Sequence, residues 1–260
     1  MLGLGVGFYK LAGDAGTPYL IRKGGGSGSM VFDGADQSVQ INNMANDIEG
    51  GTHTGIEFSA SAWIKIGGTS ATGTVFNARY DANNQFNIIY HHATSQLRAT
   101  IKANGTLKQP VYDASELRSD DNWHHVAMTT SSTSGKIILY VDGDAQAEAS
   151  GLDSMAFGSN DINVASIGQN TQDGAFWIGS LDEVALWNRA LSSANITTLY
   201  NNGAQSGEKT IDLSSTANGL PLPIAWYRFE NDQSTTAINS ADYTQHGTYV
   251  NAPTNSTSTP

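Results

Sequence analysis

The sequence contains no cysteine and few basic residues, and both absences narrow what the protein can be. Without cysteine there is no disulfide bond and no thiolate metal site, although a cysteine-free chain is compatible with any redox compartment. Lys and Arg together number 13 against 24 for Asp and Glu, which gives a formal charge of −11. Neutralisation of phosphate therefore cannot drive binding, and nucleic acid is not an expected partner.

The sequence has no long apolar run, and a secretion signal is not expected at its N-terminus. No segment approaches the roughly 20 apolar residues of a membrane-spanning helix, so membrane insertion is not expected. The N-terminus lacks a basic region before its apolar part, and its glycines would interrupt a signal helix. Residues 1–29 are therefore predicted to be a retained, Gly-rich arm and linker, although a disordered terminus is the alternative. Its alternating apolar residues are expected to anchor it on another surface; they are Leu2, Leu4, Val6 and Phe8.

Short strand signals separated by turn residues recur along the remaining chain. Only 14% of residues are charged, and Gly, Ser, Thr, Asn and Asp are frequent, which is typical of a β-rich protein with many turns. The strongest alternation is found in Phe58–Ile66, Thr74–Ala78, Gln85–Tyr90, Leu97–Lys102, Ile224–Glu230 and His246–Val250. Their spacing predicts an all-β, two-sheet antiparallel sandwich with one helix at Leu191–Tyr200.

Two hairpins are predicted from this pattern. Asn122–Thr130 and Lys136–Asp142 flank the turn sequence SSTSG, and each has one apolar face. A shorter hairpin is expected within Met30–Ile41, around a DG turn. The predicted domain plan is an arm at 1–29, a sandwich at 30–203, a linker at 204–223, completing strands at 224–250 and a disordered tail at 251–260.

The stretch Gly179–Leu191, GSLDEVALWNRAL, combines an apolar strand with two adjacent carboxylates, Asp182 and Glu183. Strict alternation turns neighbouring strand residues to opposite faces. Carboxylates in such a strand must be exposed, paired or given a cation. The stretch is therefore expected to lie where one of these three conditions is met.

Six motifs together resemble the laminin-G-like members of the concanavalin A-like lectin-glucanase jelly-roll superfamily. They occur in the family's order as VFDG (31–34), ASAWIKI (60–66), WHHVAMT (123–129), LYVDG (139–143), IGQN (167–170) and GSLDEVALWNRALS (179–192). The resemblance covers residues 30–203 and implies two packed antiparallel sheets. A chain with an MLGLG start and a laminin-G-like body resembles surface or tail-associated proteins of tailed bacteriophages.

The order of the terminal motifs departs from that family. The sequences AWYRFEND at 225–232 and INSADYTQHGTYV at 238–250 resemble the family's opening strands, yet they follow its closing helix. This departure predicts a circular permutation in effect, in which Ile224–Glu230 lies beside Leu181–Trp187 in its own or a neighbouring subunit. A truncated second repeat is the alternative.

Asp33 and Asp182 are the candidate metal ligands, since the resembled family often holds a structural calcium where its early and late strands meet. Ca²⁺ binds through several oxygens, which Asp side chains and loop carbonyls supply. The alternative is that Asp33 forms the DG turn and Asp182 makes hydrogen bonds only. The pairs His91–His92 and His124–His125 are interpreted as packing residues, because adjacent strand residues cannot both reach one ion.

Catalysis is not expected, whereas sugar binding is. Glycoside hydrolysis needs two carboxylates about 5–10 Å apart, and none of the seven glutamates lies in a suitable single-strand pattern. The resemblance instead implies binding through aromatic and polar side chains near loops. The candidate glycan residues are Trp177, Tyr80, Arg79, His92 and Asn170.

The expected function is a non-enzymatic adhesion or structural protein at a phage virion surface, or otherwise extracellular. We expect it to contact other virion proteins through the arm, to form a homo-oligomer and to recognise a cell-surface glycan. A bacterial carbohydrate-binding module is the second hypothesis, and a glycoside hydrolase is the third.

Overall fold

Alternating apolar side chains build two antiparallel β-sheets that pack face to face. The computed structural model describes residues 28–42, 56–68, 72–157, 164–171, 174–200, 210–230, 235–241 and 246–260. In chain order the strands are β1 (Ser29–Asp33), β2 (Ser38–Asn42), β3 (Phe58–Ile66), β4 (Thr72–Asp81), β5 (Asn84–His91), β6 (Gln96–Ala103), β7 (Thr106–Lys108), β8 (Val111–Asp113), β9 (His124–Ser131), β10 (Lys136–Val141), β11 (Asp144–Ser150), β12 (Val164–Ile167), β13 (Gln169–Asn170), β14 (Ala175–Phe176), β15 (Ile178–Trp187), β16 (Ala225–Tyr227), β17 (Thr236–Ala237), β18 (Gly247–Val250) and β19 (Thr254–Ser256). The helices are α1 (Ser115–Ser119) and α2 (Ser193–Tyr200), with 3-10 turns at His92–Thr94 and Thr216–Asn218.

The first sheet has the strand order β11-β10-β9-β3-β15-β1-β19, and β16 also pairs with β15. The second sheet has the order β17-β18-β2-β12-β4-β5-β6-β7, and β8 also pairs with β6. A separate two-stranded ribbon joins β13 to β14. The fold is therefore an antiparallel β-sandwich, which confirms the predicted fold class.

Apolar residues from the inner faces of both sheets form one core. On β3, Phe58 and Ile64 turn inward, and Phe58 stacks on Phe86 of β5 with ring centroids 4.5 Å apart. Because side chains alternate along a strand, the residues between them turn to the outer faces. What covers each outer face then decides where a ligand can bind.

Most of the predicted strands are confirmed, but the short hairpin near residue 30 is wrong. The β9–β10 hairpin is present, with Leu139 opposite Met128. By contrast, β1 pairs with β15 and β19, whereas β2 belongs to the other sheet. The DG turn therefore carries the chain from one sheet to the other, because the two apolar strands it joins each fill a different half of the sandwich.

The predicted neighbour of β15 is present within the same chain. Ala185 of β15 pairs with Trp226 of β16, and Val184 pairs with Tyr227. Strand β1 occupies the same edge of β15 earlier along the strand, where Met30 pairs with Leu181. The two ends of the chain thus share one edge of β15, as a permuted order of strands requires.

Two other segments are more ordered than their composition indicates. The tail at 251–260 was predicted to be disordered, which is wrong, because Thr254–Ser256 forms a strand against β1. In the predicted linker, Leu213 and Leu220 are buried, and the Trp187 indole donates to the Pro221 carbonyl at 2.9 Å. Apolar residues that are sparse in the sequence still hold these segments on the sandwich.

Candidate functional site

The outer face of the first sheet is covered by a second apolar cluster. Trp187 and Trp226 lie on this face and are buried beneath helix α2 and the segment after it. Helix α2 begins at Ser193, two residues after the predicted start at Leu191, because the Ser192 hydroxyl accepts the Asn195 backbone N–H at 3.2 Å and caps the helix. The remaining apolar members of the cluster are Ala127, Tyr140, Ala185, Leu191, Ile196, Leu199, Leu213 and Leu220.

The outer face of the second sheet is polar instead. A continuous row of directly paired residues crosses six strands from β18 to β6 on this face, and its members are Thr248, Gln40, Ser166, Asn77, Asn87 and Thr100. Adjacent strands lie about 4.8 Å apart, so the row is about 24 Å long. This row and the residues flanking it on β4, β5 and β6 are here named the polar face.

Alternation within each strand explains why these polar residues share one face. On β4, Phe76 and Ala78 belong to the core, so Asn77 between them turns outward. On β5, Phe86 and Ile88 belong to the core, so Asn87 between them also turns outward. The pairing of Asn77 with Asn87 then brings the two outward amides side by side.

Several amide atoms at the centre of the polar face have no hydrogen-bond partner among the described residues. Asn77 is fully buried, and neither its Oδ1 nor its Nδ2 is bonded to this part of the chain; the same holds for the Asn87 Oδ1 and the Gln85 Oε1. Two members of the row are bonded, because Thr100 accepts Gln109 Nε2 at 2.9 Å and Ser166 donates to the Gln169 carbonyl at 2.7 Å. A buried amide without a partner costs about 1–3 kcal/mol, a cost that bonding to an external donor or acceptor would relieve. The members of the row that are open to solvent are Gln40 and Thr248.

The borders of the polar face are partly apolar and partly shaped by the β13–β14 ribbon. Leu107 is 51% exposed and Val111 is 41% exposed, and both lie on the polar face because they pair with Lys102 and Arg98. At the opposite border, the Arg79 Nε donates to the Thr171 hydroxyl at 2.7 Å. Exposed aliphatic carbons beside amides match the mixed apolar and hydroxylated surface of a sugar.

The structure brings some of the predicted glycan residues to this face and buries others. Arg79 lies on the polar face, Tyr80 follows it on β4 and is 44% exposed, and Asn170 precedes Thr171. Trp177 is completely buried in the core against Gly73, and His92 is buried with its ring against Tyr90. The last two side chains therefore offer no surface to a ligand, since their aromatic rings fill the interior.

A bulge in β15 determines the position of the acid pair. Asp182 pairs with Trp63 and Ala185 pairs with Ser61, so β15 has one extra residue between these pairs. Glu183 lies in this bulge, and its backbone φ is 51°. It lines a small cavity with Trp63 and Ser61, which places both carboxylates on the outer face of the first sheet. The expectation that they turn to opposite faces is wrong, because the bulge breaks the alternation.

The acid junction, composed of Asp182, Glu183, Arg228 and Glu230, is buried and internally paired. The Trp226 indole donates to Glu183 Oε2, and the Arg228 Nε lies 3.6 Å from Glu183 Oε1. Arg228 also donates to Glu230 at 2.6 Å, and its guanidinium lies 4.6 Å from the centroid of the Trp226 ring. These contacts fix the C-terminal segment to β15.

Burial governs the charge state of the acid junction. It raises the pKa of Glu183 to about 7, although the Arg228 guanidinium acts in the opposite direction. Burial and the charge of Glu183 raise the pKa of Asp182 well above its ordinary value. The Asp182 Oδ1 accepts the Glu183 backbone N–H at 2.8 Å, whereas its Oδ2 has no hydrogen-bond partner among the residues that the structure describes. Such carboxylates retain protons near neutral pH.

The predicted metal ligands do not come together. Asp33 pairs with Ile178, which is four residues from Asp182 along β15, or about 13 Å. The Asp33 Oδ1 accepts the Ala35 N–H at 2.8 Å, as expected for a turn residue. Within the described ranges, no group of three or more His, Asp or Glu side chains is arranged to hold an ion. The residues present do not fit a shared calcium site, and calcium stays a prediction from the resemblance.

The paired histidines lie in different environments. The ring of His125 packs edge-on against Trp63, and complete burial lowers its pKa to about 4. Burial opposes charging of His124, but bonds to Asp142 at 2.7 Å and Asp120 at 3.0 Å outweigh it and raise its pKa. These contacts agree with the interpretation of His124 and His125 as packing and pairing residues.

Sequence reasoning missed the centre of the polar face. The signal for Asn77, Gln85, Asn87 and Thr100 was present as polar residues next to apolar ones in three predicted strands. That pattern is also typical of any solvated sheet face. Only the strand order, in which β12 separates β2 from β4, shows that the polar positions form one row.

Comparison with known proteins supports the fold. A Bacteroides ovatus protein provisionally assigned as carbohydrate binding is 15% identical with a TM-score of 0.61, and the match covers 90% of this chain and 61% of that one. The CBM40 of a Ruminococcus gnavus sialidase, bound to α2,3-sialyllactose, is 9% identical with a TM-score of 0.51, covering 65% of this chain and 94% of that one. No curated protein sequence matches the chain.

No helix in the described ranges is long and apolar enough to cross a membrane. The family model for the concanavalin A-like lectin/glucanases superfamily, of laminin-G type, matches residues 33–197. Because the match extends over more than half of the sequence, the chain belongs to this superfamily.

Proposed function

We propose that the protein is a non-catalytic carbohydrate-binding module whose ligand binds the polar face. The observation that carries this proposal is the outward row of polar residues, which is exposed at Thr248 and Gln40 and has unbonded amide atoms on Asn77, Asn87 and Gln85 within the described residues. Sugar hydroxyls donate and accept hydrogen bonds, so within the described part of the chain they match the Asn77 amide, which uses neither capacity, and the Asn87 and Gln85 amide oxygens, which accept no hydrogen bond. The carbohydrate-binding relatives of the same fold support this choice without assigning a ligand.

The absence of catalysis is part of the proposal. The carboxylates of the acid junction are buried beside Arg228 on the first sheet, away from the polar face. The polar face itself presents amides, hydroxyls and cations at its centre, and these groups do not form an acid-base pair. We therefore expect binding without release of reducing sugar.

Testing the proposal requires a glycan array with the full chain, followed by calorimetry on the best ligand. We expect Asn87→Leu, which keeps the approximate side-chain volume, to weaken binding at least tenfold. Asn122→Leu is the matched control, since Asn122 is exposed before β9 on the first sheet, and it should bind as the parent does. Silence on the array, or equal binding by both variants, would reject the polar face as a sugar site. Release of reducing ends would reject the non-catalytic assignment.

A location at a phage virion surface stays a proposal based on the sequence. The anchoring residues Leu2, Leu4, Val6 and Phe8 lie outside the described residues, as does the rest of the segment 1–27. Deletion of residues 1–22 should leave a folded, sugar-binding domain that no longer attaches to particles. Continued attachment would contradict the anchoring role, and the same deletion tests whether homo-oligomers depend on this segment.

A further inference from the structure

Three cations surround the central amides of the polar face. Arg79 and Lys102 both pair directly with Gln85, on either side of β5, and Arg98 pairs with Ile89 of the same strand. Asn87 lies between Gln85 and Ile89 on β5, so all three cations are its diagonal neighbours. Diagonal side chains on a sheet are typically 7–8 Å apart, within reach of one bound sugar.

This concentration of positive charge is unusual for the protein. The chain carries a formal charge of −11, yet three of its 13 Lys and Arg residues lie on one face of β4 and β6, the two strands that flank β5. Elsewhere, Lys65 pairs with Asp121 at 3.0 Å and Lys136 pairs with Glu148 at 2.7 Å. No described carboxylate forms an ion pair with any of the three cations of the polar face.

Neutral partners instead orient the two arginines. The Arg79 Nε donates to the Thr171 hydroxyl at 2.7 Å, and the Arg98 Nε and Nη2 donate to Gln96 Oε1 at 3.2 and 2.6 Å. These bonds fix each guanidinium while leaving its charge uncompensated, which suits recognition of a planar or tetrahedral anion.

The carboxylates at the borders of the face are engaged locally. Asp81 accepts the Asn83 N–H at 2.8 Å and Asn84 Nδ2 at 2.9 Å, and these bonds lower its pKa. Asp113 accepts the Ser115 N–H at 3.1 Å. Both lie at strand ends, so the centre of the face presents positive charge and amides together.

We infer that the ligand is an acidic glycan, with a carboxylate or sulfate bound among Arg79, Arg98 and Lys102 and its hydroxyls on the central amides. This inference rests on the proposed function and names the ligand class for the same site. Amides alone would suit a neutral sugar, and cations alone would suit any polyanion; their interleaving favours a sugar that bears both hydroxyls and negative charge. The strongly negative net charge makes a nucleic acid the less suitable polyanion.

Matched ligands separate this inference from the proposed function. The probes are a uronic acid oligosaccharide, its carboxyl-reduced counterpart and a sulfated oligosaccharide of the same length, titrated calorimetrically against the full chain. We expect the acidic probes to bind at least tenfold more tightly than the neutral one, with affinity falling as salt rises. Preference for carboxylate over sulfate, or the reverse, identifies which anion the site recognises.

Charge variants complete the test. Arg79→Gln should reduce acidic-probe binding at least tenfold and narrow the difference in affinity between the acidic and the neutral probes. Lys136→Gln removes the same charge from the first sheet and should change neither. Equal binding of neutral and acidic probes would overturn the acidic ligand but retain the proposed function, whereas loss of all binding would overturn both. Equally tight binding of single-stranded DNA would show general anion binding and would also overturn the inference.

Discussion

Buried polar groups are paired within the chain on one outer face of the sandwich, whereas several on the other face have no partner among the described residues. On the first sheet, Glu183 is buried with a cation, and Asn239 Oδ1 accepts the Trp226 and Ala241 backbone N–H groups at 2.9 and 3.0 Å. On the second sheet, Asn77 is just as buried but bonds to nothing in the described residues. Pairing within the chain stabilises the fold, whereas unused bonding capacity costs stability, and this cost is recovered only when an external group bonds to it. The difference assigns a structural role to one face and a recognition role to the other.

The largest effect on stability is expected where the outer face of the first sheet, here called the covered face, joins the C-terminal segment. Trp226→Ala removes a buried indole from the apolar cluster and from its bond to Glu183. The lost packing and the cavity should lower the free energy of unfolding by about 3–5 kcal/mol. Chemical denaturation monitored by circular dichroism measures this change.

The same variant tests whether the faces act independently. At a temperature where Trp226→Ala remains folded, sugar binding to the polar face should be unchanged. A loss of binding without unfolding would show that the faces are coupled. A stability loss below about 1 kcal/mol would show that β16 contributes little to the sandwich.

Removal of the buried cation should cost nearly as much, and the cost should depend on pH. Arg228→Met leaves Glu183 and Glu230 buried without the guanidinium. Removing one partner of a buried ion pair typically costs about 3–5 kcal/mol. Since the pKa of Glu183 is about 7, its carboxyl is neutral at pH 5 and the deficit should be smaller there than at pH 8. A deficit that is independent of pH would contradict the assigned charge states.

The sequence predicted the backbone plan of the covered face better than its chemistry. Alternation identified Phe58–Ile66 with its observed bounds, and displaced family motifs predicted the pairing of β16 with β15. The bulge at Glu183 was not predictable, because no glycine marks the position and LDEV reads as regular alternation. Tertiary packing around Trp226 and Arg228 therefore decides a conformation that local preference opposes.

The polar face was less predictable still. Its polar positions could be assigned to one side of each strand, but a row of paired residues depends on which strands are neighbours. Strands β2, β12 and β4 are adjacent in space although long segments separate them in sequence. Local patterns contain no information on such pairings, so Asn77 and Asn87 appeared as ordinary surface residues, whereas Trp177 and His92 were chosen for their chemistry and proved to be interior.

Titration should distinguish Glu183 from His125 at the covered face. The folded-state pKa of Glu183 is raised, so its contribution to stability is present below its ordinary pKa and is lost as pH rises toward 7. His125 has a folded-state pKa lowered to about 4, so its contribution is present above 6.5 and is lost as pH falls. Asp182 and Arg228 face Glu183, Asp142 acts on His125, and the two opposing contributions partly cancel in the parent protein.

Difference profiles reveal the two contributions. The stability of Glu183→Gln relative to the parent should rise by about 1–2 kcal/mol between pH 5 and pH 8, because the buried amide cannot ionise. The stability of His125→Phe relative to the parent should instead rise as pH falls, because the phenyl ring cannot be protonated. Melting temperatures across this range provide the measurement, and parallel profiles for parent and variants would contradict both assignments.

The smallest effect is expected at the centre of the polar face, where buried Asn77 can be compared directly with buried Asn239 beside the first sheet. Asn239→Leu deprives two buried backbone N–H groups of their acceptor and should cost about 2 kcal/mol. Asn77→Leu removes an amide without a partner, so the free energy of unfolding should change by less than about 1 kcal/mol, in either direction. Urea denaturation of both variants, alongside sugar titration of Asn77→Leu, measures stability and binding separately. If Asn77→Leu destabilised the protein as much as Asn239→Leu, its amide would have a structural role, and the contrast between the two faces would fail.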